Sequence, residues 1–343
     1  MVASFRGGVS DWLDTMLPAD LYARSAASAA AADQTWLDPR VVAAAARLPG
    51  VRRVEAARVR ALDLAPGRPA VTLLARAHVA TTLPLLAPAL ALPPGEIGVF
   101  VSEAMVDLYG AAPGRQLELP LGAAPVPVRV LGVWRDYARQ FGSIAIDAAD
   151  YRRASGDRHV NDLAFWLEPG ASAAAVEDGL RALLADPSMV DFATTRELRA
   201  TSLAIFDRSF AVTYYLQAVA IAIGLAGVAA SLSAQVLARR KEFGLLAHLG
   251  LTRSQVVAVV AGEGAAWLAT GCAIGLALGL AISLVLVFVV NPQSFHWTMP
   301  LVLPWGRLAA LCAAVAVAGI GTAAFSARSA AGRPAVASVK DDW

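Results

Sequence analysis

The stretch FAVTYYLQAVAIAIGLAGVAASLSAQVL, residues 210–237, decides the fold class. It carries no charged side chain, and the nearest charges are Arg208 and Arg239. A membrane-crossing helix needs about 20 predominantly apolar residues, so this run is long enough to span. Two more runs follow, 256–290, broken only by Glu263, and 308–325. The rival reading is three helices buried in a large soluble core; uncharged runs of this length argue against it. The second run exceeds one span, so its first turns should project beyond the hydrocarbon. The expected spans are therefore about 210–237, 262–290 and 308–327.

Composition agrees once it is divided along the chain. Of 343 residues 57% are hydrophobic and 16% charged, with a mean hydropathy of +0.56. Soluble domains carry about 25% charged residues, and this chain has too little charge to stay solvated while disordered. A formal net charge of +2 provides no basic field for nucleic acid, so no nucleic-acid partner is expected. Cys272 and Cys312 both lie in apolar runs, which leaves no readable disulfide framework.

The cations set the orientation. Arg239, Arg240, Lys241 and Arg253 lie between the first two runs, and Arg328, Arg333 and Lys340 follow the third. The 291–306 connection contains no Lys or Arg. Positive charge marks the cytoplasmic side, so residues 1–209 are expected outside the membrane. Trp297 and Trp305, with Tyr214 and Tyr215, fit an outer aromatic belt. Gly271, Gly275 and Gly279, spaced by four, predict one smooth face for close helix packing. Gly224, Gly227 and Ser231 offer a smaller one; glycines scattered by chance through alanine-rich helices are the alternative.

Residues 1–209 read as an extracytoplasmic α+β domain. Asp38 and Pro39 predict an N-capped helix running to about Leu48. Strands are expected at about 54–64 and 70–75 around the Pro66-Gly67 turn, then at 163–167 and 189–192 with a helix over 172–184 between them. Together these predict a small mixed sheet with helices on one face. Residues 97–150 read as a β-rich insert: a strand at 97–101, a helix capped by Ser102, and strands at 116–121 and 126–134. The expected fold is thus three transmembrane helices preceded by an α+β domain with an inserted lobe.

No catalytic constellation is legible. The four histidines are scattered, and Cys-x-x-Cys, His-Glu-x-x-His, Gly-x-Ser-x-Gly and the phosphate-binding glycine loop are all missing from the sequence. No enzyme activity, cofactor or metal site is expected. The informative segment is RRKEFGLLAHLGLTRSQ, residues 239–255. Phe243, Leu246 and Leu249 recur at spacing three and would share a stripe on a short helix lying along the membrane, about 239–250. Gly250 should end it and Thr252 cap the next helix. Such a ridge suits either lipid head groups or a partner protein.

Arg240, Glu242, Gly244, Leu245, Leu249-Gly250, Gln255 and Glu263, followed by a glycine-rich second span and a three-span ending, resemble FtsX-like ABC transporter permeases, the family of MacB and the LolC/LolE proteins. The closing segment 333–343 is similar to endings in that family. The resemblance covers about 210–343 and is weaker before it. It implies a non-enzymatic permease subunit of the bacterial inner membrane, dimeric with itself or a paralogue. A separate ATPase would drive it to move lipid, lipoprotein or an extracytoplasmic partner. It also implies that Arg239, Arg240, Glu242, Phe243, Gly244, Leu245, Leu246 and Leu249 form the coupling element seated on that ATPase. Glu263 would lie near the inner interface, where a carboxylate needs a partner such as a nearby arginine. The family has a span ahead of its outer domain and residues 1–36 contain no such run, so the chain is expected to be the C-terminal part of a longer permease. The alternative is a membrane-tethered regulatory module that activates an outer partner, such as a cell-wall hydrolase, without transport.

Overall fold

A computed structural model describes residues 2–25, 36–122, 124–184, 186–239, 242, 245–246 and 249–331. The chain forms two compact units. One takes in everything up to Phe206 together with Leu286–Leu301; the other takes Asp207–Val285 and the chain from Val302 onward.

The first unit begins with α1 (Val2–Met16), an element that no cap or breaker announces in the sequence. Phe5, Val9 and Leu13 recur at spacing four and are buried, which places one stripe of the helix against the domain. Then come β1 (Leu21–Ser25), α2 (Pro39–Ala45), β2 (Val51–Leu62), β3 (Val71–Arg76), α3 (Val79–Thr82), β4 (Gly98–Ser102) and α4 (Glu103–Tyr109). β5 (Gln116–Leu119), β6 (Val126–Trp134), β7 (Ser143–Asp147), α5 (Ala148–Ser155), β8 (Asp162–Leu167), α6 (Ala173–Leu183) and β9 (Val190–Thr194) complete it. Asp38 caps α2 as expected, accepting from the Arg40 N–H at 2.7 Å. Ser102 does not cap α4: its Oγ instead accepts from the Ser143 N–H at 2.9 Å.

The nine strands among the described residues join one sheet, in the order β5-β6-β4-β7-β3-β2-β8-β1-β9. The 97–150 segment is therefore not a lobe standing apart. β7 pairs in parallel with β3, and β4 lies between β6 and β7. The real division runs through β2, whose residues 51–57 pair with β8 while residues 58–62 pair with β3. Each half-sheet has its own core, one around Leu73, Val101, Ile144 and Ile146, the other around Leu21, Leu163, Phe165 and Leu180. Strands usually run three to ten residues, and nothing in an apolar alternation shows that a twelve-residue strand changes partners midway.

A buried polar joint marks that change. Arg58, 6% exposed, donates from Nε to Asp157 at 3.2 Å, and the Tyr151 hydroxyl donates to the same carboxylate at 2.7 Å. The Asn161 side chain clasps the Val59 backbone, accepting its N–H at 2.8 Å and donating to its carbonyl at 2.7 Å. Burial pushes the Asp157 carboxyl upward, but bonds from the His159 backbone, Tyr151 and the His159 ring, with the Arg58 charge, outweigh it and hold the group down at about 2.

In the second unit α7 (Thr195–Ala238) is one 44-residue helix that starts well before residue 210, its first turns belonging to the sheet unit. It is followed by α8 (Arg253–Val285). A π turn over Leu286–Val290 and the short α9 (Asn291–Phe295) lead away from it, and α10 (Trp305–Ala331) is the last helix described. Among the described residues three helices are long and apolar enough to cross a membrane, Thr195–Ala238, Ser254–Phe295 and Trp305–Phe325. Their packed core comprises Leu232, Val236, Val256, Val260 and Ala323.

Within the chain, Gly319 and Gly264 lie against neighbouring helices, and the predicted row does not. A Cβ on Gly319 would lie 2.5 Å from Leu268 Cδ1, and one on Gly264 would lie 3.6 Å from the Ala323 Cβ. Around Gly271, Gly275, Gly279, Gly224 and Gly227 nothing lies within 4 Å. Alanine lines most faces of these helices, so glycine spacing alone cannot select the face used within the chain.

Two predictions follow from this packing. Gly319→Val should lower the thermal midpoint of the detergent-solubilised chain, overpacking costing about 1–3 kcal/mol, while Gly321→Val, where nothing lies within 4 Å, leaves it unchanged. Asp157→Asn should destabilise the sheet unit by about 1–2 kcal/mol at pH 7. A carboxyl lowered on folding stabilises above its unfolded value and loses that contribution as pH falls. The difference between wild type and variant should therefore shrink between about pH 4 and pH 2 in denaturant titrations.

Candidate functional site

Two places bring functional residues together, one in each unit. In the second unit the chain leaves α7 at Arg239. Its guanidinium donates from Nη1 to Glu263 Oε2 at 2.6 Å and from Nε to Glu242 Oε2 at 2.9 Å. One arginine thus ties the end of α7 to the segment after it and to the third turn of α8, giving Glu263 the arginine partner that its position calls for. Both ends of the pair are close to half exposed. Gly250 stops the segment with φ of +93°, a left-handed conformation that favours glycine. α8 then begins on a reciprocal cap: the Thr252 N–H donates to Gln255 Oε1 at 2.8 Å, and the Gln255 N–H donates to Thr252 Oγ1 at 3.4 Å.

The apolar ridge of this segment differs from the predicted stripe. Leu246 is partly buried and packs on the core of Leu232, Val236 and Val256. Leu245 and Leu249 are the open pair, 64% and 72% exposed, and the Leu249 N–H donates to the Leu245 carbonyl at 3.1 Å. Among the described residues of the segment, the outward leucines are thus four apart. Arg240, Lys241, Phe243, Gly244 and His248 lie outside the described residues.

The other place was not foreseen. In the first unit the segment 291–299, reached from α8 through the π turn, is seated on the sheet domain. Thr298 donates its hydroxyl to Glu103 Oε1 at 2.5 Å and its N–H to Oε2 at 3.1 Å. Arg135 Nη2 donates to Thr298 Oγ1 at 2.9 Å and its Nε lies 3.6 Å from Glu103. Beside this knot Trp297, 5% exposed, stacks on Phe5 at 5.2 Å and meets the Tyr137 ring edge-on at 4.7 Å. Phe5 also meets Phe206 of α7 edge-on at 5.1 Å. Trp297 is thus not part of an aromatic belt, whereas Trp305 is 64% exposed. An aromatic in a short, uncharged loop reads as an interfacial residue from sequence, because its partners Phe5 and Tyr137 are remote along the chain.

Both places join elements. Among the described residues no group of three or more His, Cys, Asp or Glu side chains could hold a metal ion.

Residues 216–335 match the FtsX-like permease C-terminal family. The resemblance read from the 239–263 region therefore holds over the membrane helices. An uncharacterized ABC transporter permease protein of Mycobacterium tuberculosis is 32% identical over 213 residues, 60% of this chain, and the chain spans 24% of that protein's length. Among solved structures, the periplasmic region of MacB from Actinobacillus actinomycetemcomitans is similar at TM-score 0.39 and 10% identity, over 55% of this chain and 94% of that one. The extracellular domain of the noncanonic ABC-type transporter YknZ from Gram-positive bacteria gives TM-score 0.34 and 13% identity, over 51% and 98%.

Thr298→Val keeps the shape of the seated segment but deletes two hydrogen bonds in contact with charged groups, a loss of about 1.5–3 kcal/mol each. Amide hydrogen exchange over 296–299 should accelerate by at least about tenfold. Unchanged exchange would mean that aromatic packing alone holds the segment.

Proposed function

We propose that the chain is the transmembrane subunit of an ABC transporter complex, driven by a separate ATPase that seats on the 239–250 segment. The observation that carries this reading is the Arg239 bridge to Glu242 and Glu263, with Leu245 and Leu249 open beside it. An apolar pair held by a charged brace between two long helices can receive a push and pass it on to both. The match over 216–335 and the similarity to an ABC transporter permease support the same reading. By the distribution of Lys and Arg, the segment and the C-terminal tail face the cytoplasm and the sheet domain faces outward, in the inner membrane of a bacterium.

ATP binding would close the ATPase pair, displace the two segments it holds, and tilt the helices. The sheet domain, continuous with them along the chain, would move as a lever. A bundle of three spans is too thin to enclose an aqueous pore, which favours lipid, lipoprotein or an outer protein partner as the object moved. The open faces at Gly271, Gly275 and Gly279 favour a second permease chain, a copy or a paralogue, packed there. The same lever could activate an outer hydrolase without moving cargo, and the thermodynamic linkage would be identical.

The test is co-purification from membranes in mild detergent. Leu245→Asp with Leu249→Asp should remove the ATPase from the complex while the thermal midpoint of the permease stays unchanged, both positions being exposed. Retention of the ATPase by the double variant would overturn the proposal. Leu246→Asp is unsuitable, since it charges the helix core.

A further inference from the structure

A cavity of about 530 Å³ opens in the sheet unit between the 86–90 segment, α4 and the seated loop. Its apolar wall includes Leu86, Leu90, Leu131 and Trp297. The wall is preformed: the Leu86 N–H donates to the Val133 carbonyl at 2.9 Å and the Leu90 N–H to the Leu131 carbonyl at 2.8 Å. Yet Leu86 and Leu90 remain 43% and 47% exposed, so their side chains are held in place without being covered. A leucine fixed by its backbone and left open to water is what a pocket for an apolar molecule requires. The volume falls within the range of about 300–1,000 Å³ found for small-molecule sites.

Charge narrows the class. Two carboxylates, Glu103 and Asp107, line the cavity, and no Lys or Arg does among the described residues. Glu103 is committed to Thr298 and Arg135. Asp107 lies one turn further along α4, half exposed, with the His296 ring nitrogen 3.4 Å away. An anionic ligand would meet the like charge of this carboxylate at the mouth of the cavity. A neutral one would leave the carboxylate with the His296 ring beside it and nothing more, whereas an ammonium would pair with it.

We propose that this cavity binds small amphiphilic monocations, their apolar body lying on Leu86, Leu90 and Leu131 and their ammonium at Asp107. Because α4 and the 296–298 loop both line the cavity and touch each other there, occupancy bears on the same knot that seats the loop. The site does not rest on ATPase coupling, and its test reads binding alone.

The full chain in zwitterionic phospholipid nanodiscs would be photolabelled with an aryl-azide phenylalkylamine and with its uncharged N-acetyl form, and the labelled peptides identified by mass spectrometry. The amine should label peptides containing residues 86–90 and 106–107 saturably, at least fivefold more than the acetylated probe. Asp107→Asn should abolish that preference while neutral labelling persists. Ala87→Trp, at an exposed position on the rim, should cut labelling by both probes at least fivefold. Circular dichroism and thermal midpoints verify that both variants fold. Equal labelling by the two probes in the wild type, a preference that survives Asp107→Asn, or labelling confined to the spanning helices would each overturn the proposal.

Discussion

The structure depends on the seating of one loop residue, Thr298, in the grip of Glu103 and Arg135. A buried carboxylate is costly unless its lone pairs are occupied, and Thr298 supplies both a hydroxyl and a backbone N–H to Glu103. The guanidinium of Arg135 closes the set. The loop cannot leave without exposing a buried acid that has lost its donors. Trp297 adds ring contacts with Phe5 and Tyr137, so polar and apolar terms favour the same arrangement. Since Phe5 also meets Phe206, the start of the first long helix and the loop after the second share one aromatic cluster.

The polar joint at β2 serves the sheet in a comparable way. Two half-sheets with separate cores hang on one strand, and a strand alone transmits little bending resistance. Arg58, Asp157, Tyr151 and Asn161 stiffen it where the partners change. Buried networks of this kind specify a unique geometry when every member is satisfied. A sheet that behaves as one body can pass on a displacement that a jointed one would absorb.

The sequence revealed some of this and concealed the rest for definite reasons. The three apolar helices are legible because hydrocarbon imposes a length and excludes charge, a constraint that acts residue by residue. The caps at Asp38, Thr252 and Gly250 are legible because they are local. α1 is not, since it owes its place to tertiary burial of Phe5, Val9 and Leu13. The partner change within β2 and the Thr298 knot join residues more than a hundred positions apart, and single-sequence periodicity carries no such information. Leu246 shows the limit within one turn: stripe and ridge differ by a single residue, and packing decides which leucine faces outward.

The π turn at Leu286–Val290 lies between the apolar helix α8 and the seated loop. A π turn holds one more residue than an α-helical turn would, and each residue of an α-helix advances the chain by about 100°. Deleting one residue there would restore regular helix and swing everything beyond it by that angle, carrying Trp297 off Phe5 and Thr298 off Glu103. The insertion therefore sets the phase at which the loop meets the sheet, one residue out of step with regular helix.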